Sequence, residues 1–350
     1  MVVTVGSDSH KSTHTFVAAD ANGRELGKRT VQATTDGHLE ALRWAKQWPG
    51  RRWALEDCRH LTRRLEADLL RAGERVVRVP PKLMAGARRG ARTRGKSDPI
   101  DALAVARAAL REPGLPVARL EGASREVRVL VDHREDLVRQ RTGHQSRLRW
   151  HLHELEPGYQ IAARSLDRSK TLNKLEAILQ GHRGAVARVA RQLVDQIRSL
   201  TVAIKELDRE IGQLVTPRSP HLVQLVGCGT LTAAKIVGET AGVGRFRSRG
   251  AYAMQTGSAP IPVWSGNDTR HRLNRGGNRQ LNAALHRIAV TQLQHHPPAI
   301  EYVRRRIAGG ENKTEAIRAL RRRISDAVYR CLVADERLQQ AAHGQMPAAT

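Results

Sequence analysis

Acidic residues, aromatic residues and cysteines are all scarce in this chain of 350 residues. It has 34 Asp and Glu against 60 Lys and Arg, which leaves a formal net charge of +26. A charge of this size drives association with polyanions, and nucleic acid is the leading candidate. The five Trp, four Tyr and two Phe are too few for a single-strand reader that stacks bases on aromatic rings.

The sequence also lacks the signals of secreted and membrane proteins. Three isolated cysteines, Cys58, Cys228 and Cys331, provide neither a disulfide framework nor zinc-ligand spacing, so they favour a reducing compartment. No apolar run has the length of a transmembrane helix, and no basic segment leads into an apolar one as in a signal peptide. We therefore expect no membrane partner.

Four of the scarce carboxylates occur where a metal site could form. Asp8 follows a short apolar run, and Glu56 ends another. Asp98 and Asp101 lie three residues apart at a predicted helix start, where they share a face. Carboxylates brought together bind divalent ions, and two-metal sites cleave phosphodiesters. The alternative is that these acids are solvated or capping residues, with Asp98 as the N-cap before Pro99.

Residues 1–115 are predicted to form an α/β domain. The pattern indicates strands at 2–5, 15–19, 25–32, 52–55 and 75–79, and helices at 37–47, at 61–72 and from about residue 98. Pro99 suits the first position of the last helix. The order is βββαβαβα, with acids after the first strand, at the end of the fourth and at a helix start. An RNase H-like (RuvC-like) domain presents its metal ligands in this way.

The rest of the chain is predicted to be mainly helical. Residues 116–218 form a helical connector with a break near Pro157, and apolar residues recur every three or four positions from 186 to 214 as a coiled-coil seam. This seam is consistent with a helical hairpin inside one chain or with a coiled coil between protomers. Residues 219–340 form a mainly α C-terminal domain interrupted by a Gly- and Pro-rich stretch at 257–277, and residues 341–350 form a disordered tail.

Residues 225–236 (LVGCGTLTAAKI) place a Gly-x-Gly turn between two apolar helical stretches. This pattern resembles a helix-hairpin-helix element, in which the glycines let backbone N–H groups approach a phosphate. It predicts nucleic-acid contacts at Gly227, Gly229, Thr230 and Lys235. A packed helical turn without a ligand gives the same pattern.

A serine beside a glycine, Ser265-Gly266, follows in a polar stretch with arginines downstream. A serine hydroxyl attacks a phosphodiester once a base or metal takes its proton, and guanidinium groups stabilise the charge that develops. Most Ser-Gly pairs in polar loops have no such role. The residues predicted to bind nucleic acid here are Arg270, Arg272, Arg275, Asn278 and Arg279. Arginine runs at 304–306 and 321–323 are either solvated helix faces or contacts to its backbone, and the high positive charge of the chain favours backbone contact at least as much.

Together these segments resemble the IS110/IS1111 family of transposases. Similarity to the family's RuvC-like DEDD domain lies in residues 6–10 (GSDSH), 54–56 (ALE) and 96–102 (KSDPIDA). Similarity to its C-terminal serine transposase domain lies in residues 227–230 (GCGT), 256–260 (TGSAP), 265–266 (SG) and 276–282 (GGNRQLN). The segments follow in the family's order along nearly the whole chain. Ser7 stands where the family usually has Ile, and Glu56 is followed by an unusual Asp-Cys.

The resemblance implies an enzyme, the RNA-guided DNA recombinase of an insertion element. Asp8, Glu56, Asp98 and Asp101 would hold Mg²⁺, which Mn²⁺ could replace, and Ser265 would join covalently to DNA. An element-encoded noncoding RNA, the bridge RNA, would pair with donor and target double-stranded DNA. The protein would form a tetramer of two dimers, whose active sites combine the RuvC-like domain of one subunit with the serine domain of another. It would be cytoplasmic, prokaryotic and associated with the nucleoid.

Two other functions remain open. A RuvC-like endonuclease or resolvase would use the same four carboxylates to activate water and would leave Ser265 idle. A non-catalytic scaffold for RNA or DNA would need the acids only for its structure.

Overall fold

The computed structural model divides the chain into two compact units, residues 1–121 and 122–350. It describes residues 2–81, 83, 97–112, 114–120, 122–265 and 268–344. Most of the predicted connector and the whole described part of the predicted C-terminal domain belong to the second unit. None of the described helices is both long enough and apolar enough to cross a membrane.

The first unit is built on a five-stranded mixed sheet in the order β3-β2-β1-β4-β5. Its strands are β1 (Val3–Ser9), β2 (Thr13–Ala19), β3 (Glu25–Gln32), β4 (Arg51–Glu56) and β5 (Val76–Val79). Its described helices are α1 (Thr35–Ala45), α2 (Arg59–Arg71) and α3 (Asp98–Arg111). The central strand β1 runs antiparallel to β2 and parallel to β4. The predicted order βββαβαβα is confirmed by these elements.

Small residues bring helix α3 directly onto strand β1. A methyl group added at Gly6 would lie 2.1 Å from the carbonyl oxygen of Ala102 and 2.5 Å from the backbone nitrogen of Ala106. Only hydrogen at Gly6 allows this approach. The first turn of α3 is therefore held beside the end of β1. Ser97 occupies the N-cap position of α3, so the alternative in which Asp98 is the N-cap is wrong.

The second unit is mainly helical. Its α-helices are α4 (Ala123–Leu155), α5 (Ser169–Gln180), α6 (Ala185–Val215), α7 (Pro220–Gln224), α8 (Thr230–Thr240), α9 (Arg249–Gln255), α10 (Arg279–His295), α11 (Pro297–Ala308) and α12 (Lys313–Gly344). The long helices α4 and α6 pack along each other within the chain, and the seam residues Ile197, Ile204 and Ile211 are buried. The seam therefore packs in a helical hairpin inside one chain, which was the first of the two alternatives predicted for it.

Two features of the second unit differ from expectation. The Gly- and Pro-rich stretch contains an antiparallel hairpin of β6 (Ile261–Ser265) and β7 (Asp268–Arg272), which the absence of a clear alternating pattern concealed. The prediction of a disordered tail from residue 341 is wrong for residues 341–344, because α12 continues to Gly344. Residues 345–350 lie outside the described part of the chain.

Candidate metal centre and basic cleft

Two of the predicted metal ligands lie at one edge of the sheet. Strands β1 and β4 are parallel neighbours, and Ser7 is paired with Leu55. The next residues on the two strands are Asp8 and Glu56, so both carboxylates lie at carboxyl ends that meet at the same edge. The side chain of Asp8 is only 13% exposed. The sheet itself therefore brings these two acids together.

Helix α3 supplies the other two predicted ligands from its first turn. Asp101 is buried, whereas the Asp98 side chain is 49% exposed. The close approach at Gly6 places this turn beside the end of β1. The charges of Asp101 and Asp98 both raise the pKa of Asp8, so the carboxylates from the strand and the helix lie near one another.

A histidine outside the four predicted metal ligands lies between the strand and the helix. His10 follows β1 directly, and its backbone N–H donates to the carbonyl of Thr13 at 2.9 Å. Its Nε2 atom is 3.2 Å from Oδ2 of Asp8 and 3.3 Å from Oδ1 of Asp98. The Asp-x-His spacing could have identified His10 from the sequence, because alternate residues of an extended strand share a face.

The electrostatics of this cluster favour a bound cation. Burial raises the pKa of Asp8, His10 opposes the rise, and the carboxylates of Asp101 and Asp98 add to it. Burial also raises the pKa of the nearby Cys58 thiol to about 11, and the charge of Glu56 contributes to that rise. Negative charges gathered in a partly buried place repel one another, and a divalent cation relieves that repulsion.

The donor atoms present fit a divalent metal. Among the described residues, Asp8, His10 and Asp98 each offer one ligand atom, and these three atoms lie within 4.8 Å of one another. The other two predicted ligands, Glu56 and Asp101, are not part of this three-atom group, but Asp101 acts on the pKa of Asp8, and Glu56 and Asp8 both act on the pKa of Cys58. We refer to these five residues as the metal centre.

The Gly-x-Gly turn of the second unit has two different glycines. Gly227 has a φ of +83°, and a methyl group there would lie 2.9 Å from the carbonyl of Ile288, so the fold itself requires glycine. Gly229 is the exposed N-cap of α8, with open space around its Cα. Thr230 is the first residue of this helix. Backbone contact with a phosphate is therefore sterically possible at Gly229 and Thr230.

Two other predicted nucleic-acid contacts are engaged inside the protein. Lys235 is buried, and its Nζ lies 3.2 Å from Oδ1 of Asp132 and 2.9 Å from Oε2 of Glu135. Asn278 caps α10 through its Oδ1, and its Nδ2 donates to Oε2 of Glu239 at 2.6 Å. Both side chains join helices of the second unit, so their polar groups are used inside the protein.

A basic cleft of about 650 Å³ lies beside strand β7 and helix α12. Arginines 272, 318, 321, 322 and 323 contribute to its lining, together with Arg306 and His271. An adjoining recess is lined by Arg275, Arg279 and again Arg321. Arg318 belonged to no sequence motif, because a single arginine on a helix gives no signal of what it faces.

Arg321 is anchored in the cleft by an uncharged partner, whereas Arg306 and Arg322 pair with Glu311 and Asp326. The Arg321 guanidinium donates to Oδ1 of Asn282 at 2.9 Å, and Nδ2 of Asn282 donates in turn to the carbonyl of Thr256 at 2.9 Å. Burial lowers the pKa of Arg321, and the neighbouring charge of Arg318 lowers it further. A bound anion would reduce this repulsion, so the cleft is suited to phosphate.

The proposed nucleophile lies on the hairpin that borders this cleft. Strand β6 ends at Ser265, and Arg270 is part of β7. The side chains of both residues, and all of Gly266 and Asn267, lie outside the described part of the chain.

Comparison with known families assigns both regions. Residues 5–157 match the family model of DEDD transposases of IS110 elements, described as "Transposase", and include the whole metal centre. Residues 219–304 match the model described as "Transposase IS116/IS110/IS902 family" and include the Gly-x-Gly turn and the hairpin. The chain belongs to the IS110 family of insertion-element transposases. It is accordingly a DNA-processing protein, and the family-level expectation from the sequence is confirmed.

Individual relatives of this transposase agree over most of its length. An "Insertion element IS116 uncharacterized 44.8 kDa protein" of Streptomyces clavuligerus is 26% identical over 96% of both chains. A 42 kDa protein of insertion element IS900 from Mycobacterium paratuberculosis is 26% identical over 77% of this chain and 79% of its own. Among solved structures, Thermus thermophilus RuvC in complex with a Holliday junction substrate matches 31% of this chain and 92% of its own, with 15% identity and a TM-score of 0.25.

Proposed function

We propose that this transposase is an RNA-guided DNA recombinase that cleaves DNA with Ser265 and a divalent ion, Mg²⁺, held at the metal centre. The observation that carries the proposal is the meeting of Asp8 and Asp98, from a strand end and a helix start, on either side of His10. This meeting lies inside the region that matches the DEDD transposase model.

The acidic residues have separate roles in this reaction. Asp8 and Asp98 would offer oxygen ligands, while Glu56 and Asp101 would add charge and orient the ion or its water. When bound, the ion acts as a Lewis acid on the scissile phosphodiester. The packing of α3 on β1 supports this proposal because it holds the backbone of the helix that carries Asp98 and Asp101 against the strand that carries Asp8.

Ser265 would carry out the cleavage step. Its Oγ forms a bond to phosphorus as its proton passes to a base, and the bond from phosphorus to the 3′ oxygen breaks. The departing oxygen takes up a proton and becomes a 3′ hydroxyl. In the later strand exchange, a 3′ hydroxyl attacks the serine–phosphate bond and releases Ser265.

The basic cleft would hold the phosphates on either side of the cut. Arg272, Arg275, Arg318 and Arg321 line the cleft or its recess, and guanidinium groups bind phosphate oxygens in pairs. Arg270 and Arg279 belong to the same stretch of chain. Gly229 and Thr230 would add backbone contacts at the start of α8.

RNA guidance and assembly extend the proposal. A net charge of +26 supports contacts with an RNA in addition to DNA. Base pairing would then select the donor and target sequences, while the protein binds backbone and shape. We expect a tetramer on the RNA–DNA complex, which light scattering would detect. Efficient cleavage without RNA would overturn the guided mechanism and leave the enzyme assignment intact.

The covalent step can be tested with purified full-length protein, Mg²⁺, RNA from the element and labelled donor and target DNA. A denaturing gel would be searched for a protein–DNA adduct. The variants are Ser265→Ala, Asp98→Asn and, as a matched control, Ser199→Ala, which removes an exposed hydroxyl from α6. We expect the adduct from wild type and Ser199→Ala only.

Other outcomes select the alternative functions. Free cleaved DNA from both wild type and Ser265→Ala, without an adduct, would identify a hydrolase that uses water. Processing that survives Asp98→Asn would exclude the metal centre from catalysis. Binding without any cleavage would identify a scaffold.

A further inference from the structure

His10 is positioned as part of the metal centre, although its side chain is 51% exposed and no burial holds it there. The turn between β1 and β2 fixes its backbone through the hydrogen bond to Thr13. One atom, Nε2, faces a carboxylate oxygen of Asp8 and one of Asp98. The two oxygens come from different elements, so their convergence on this nitrogen is a property of the tertiary fold.

The spacing of the three atoms suits a shared ion. Ligands of one metal with bonds of about 2.1–2.2 Å lie roughly 3.0–3.5 Å from each other, depending on coordination geometry. The two nitrogen–oxygen distances are 3.2 and 3.3 Å. The imidazole nitrogen therefore lies as far from each carboxylate oxygen as two ligands of one metal ion lie from each other.

The chemistry of nitrogen then restricts the choice of ion. Mg²⁺ prefers oxygen ligands and retains its water. Mn²⁺ also binds oxygen donors but, like other first-row metals, accepts imidazole as well. We infer that His10 is a direct nitrogen ligand of the metal centre and shifts its preference from Mg²⁺ toward Mn²⁺. The inference rests on the proposed function, since it assumes that the carboxylates hold a divalent ion.

A different role for His10 would give the same contacts. As a positioning residue it would only donate a hydrogen bond to Asp8 or Asp98 and would not touch the ion. Replacement by glutamine distinguishes these roles, because an amide oxygen of similar reach offers Mg²⁺ and Mn²⁺ an oxygen in place of the nitrogen.

The experiment uses metal-stripped, full-length protein without a polyhistidine tag. Calorimetry gives the affinities for Mn²⁺ and Mg²⁺, and pulsed electron paramagnetic resonance on bound Mn²⁺ detects coupling to a directly bonded ¹⁴N nucleus. The variants are His10→Gln, Asp98→Asn and the control His133→Gln, which removes an exposed imidazole from α4. Circular dichroism confirms that each variant is folded.

We expect ¹⁴N coupling in wild type and His133→Gln and its loss in His10→Gln. Mn²⁺ affinity should fall at least about tenfold in His10→Gln, with a smaller change for Mg²⁺. Mn²⁺ bound without ¹⁴N coupling, or with coupling that survives in His10→Gln, overturns the ligand role and leaves the metal centre intact. Equal Mn²⁺ binding by wild type and Asp98→Asn, or no binding at all, overturns the metal centre together with this inference.

Discussion

The two units of this transposase arrange charged side chains in opposite ways. The first must hold acidic groups together in a protein that carries a large positive charge, and it does so by packing a helix onto a strand at Gly6. The second must keep arginines available, and it places them on a hairpin and on the face of α12. In the first unit, close packing overcomes the repulsion between carboxylates. In the second unit, the length and partial exposure of the arginine side chains reduce the repulsion between guanidinium groups.

The difference implies different responses to mutation. The metal centre depends on short distances, so one change of volume or charge should disable it. The basic cleft distributes its charge over several arginines, so the loss of any one of them should have a modest effect.

Asp98→Asn should have the largest effect and should separate catalysis from binding. We expect strand cleavage to fall by about 10²- to 10³-fold or more, because the metal loses a charged ligand. Affinity for DNA, measured by anisotropy with the metal present, should stay within error since the cleft is unchanged. Parallel losses of cleavage and affinity would mean that the two units do not divide these tasks.

Gly6→Ala should destabilise the first unit by about 3 kcal/mol, because a methyl group cannot fit against Ala102 and Ala106. Gly114→Ala is the matched control, since nothing lies within 4 Å of the added methyl. Urea unfolding followed by tryptophan fluorescence reports on the buried Trp53. Equal stability of the two variants would show that α3 does not need this contact.

The positions of the four acids in the candidate metal centre could be predicted from the sequence because these acids mark the ends of regular elements. Asp8, Glu56, Asp98 and Asp101 follow from strand and helix patterns alone. His10 needed the geometry of the turn that brings it beside Asp8 and Asp98. The approach at Gly6 was equally hidden, because the sequence does not say which helix a glycine faces.

The second unit was predictable in outline only. The break near Pro157 and the helices were clear, but the hairpin β6–β7 has no regular alternation of apolar residues. Two further residues could be interpreted only from their contacts in the folded protein. Lys235 looked like a phosphate ligand by position, yet it pairs with two acids of α4. Arg318 looked ordinary, yet it lines the cleft.

Acid should loosen the first unit before the second. His14 is buried, and burial lowers its pKa to about 4 from an ordinary value of 6.5. Above pH 6.5 the residue is neutral in both states and its contribution to stability is complete. As the pH falls from 6.5 toward 4, only the unfolded chain gains the proton, so unfolding becomes easier by about 2 kcal/mol near pH 5.

Hydrogen exchange measured at neutral pH and near pH 5 would locate this loss. Protection factors, which correct for the slower intrinsic amide exchange at pH 5, should fall in β1 and β2 more than in α10. His14→Gln should flatten the pH dependence of these protection factors, whereas His133→Gln should leave it unchanged. An equal loss of protection in both units would assign acid sensitivity to the whole protein.

Arg318→Ala should have the smallest effect and should sharpen the contrast with Lys235. Removing one phosphate contact should weaken DNA binding by about tenfold for every sequence and reduce the salt slope of log affinity by about one. Arg209→Ala, which removes an exposed charge from α6, should change neither value. Lys235→Met should lower the unfolding free energy by about 1–3 kcal/mol and leave the slope intact, because its charge is used inside the protein. A reduced slope in Lys235→Met would place that lysine at the nucleic-acid interface after all.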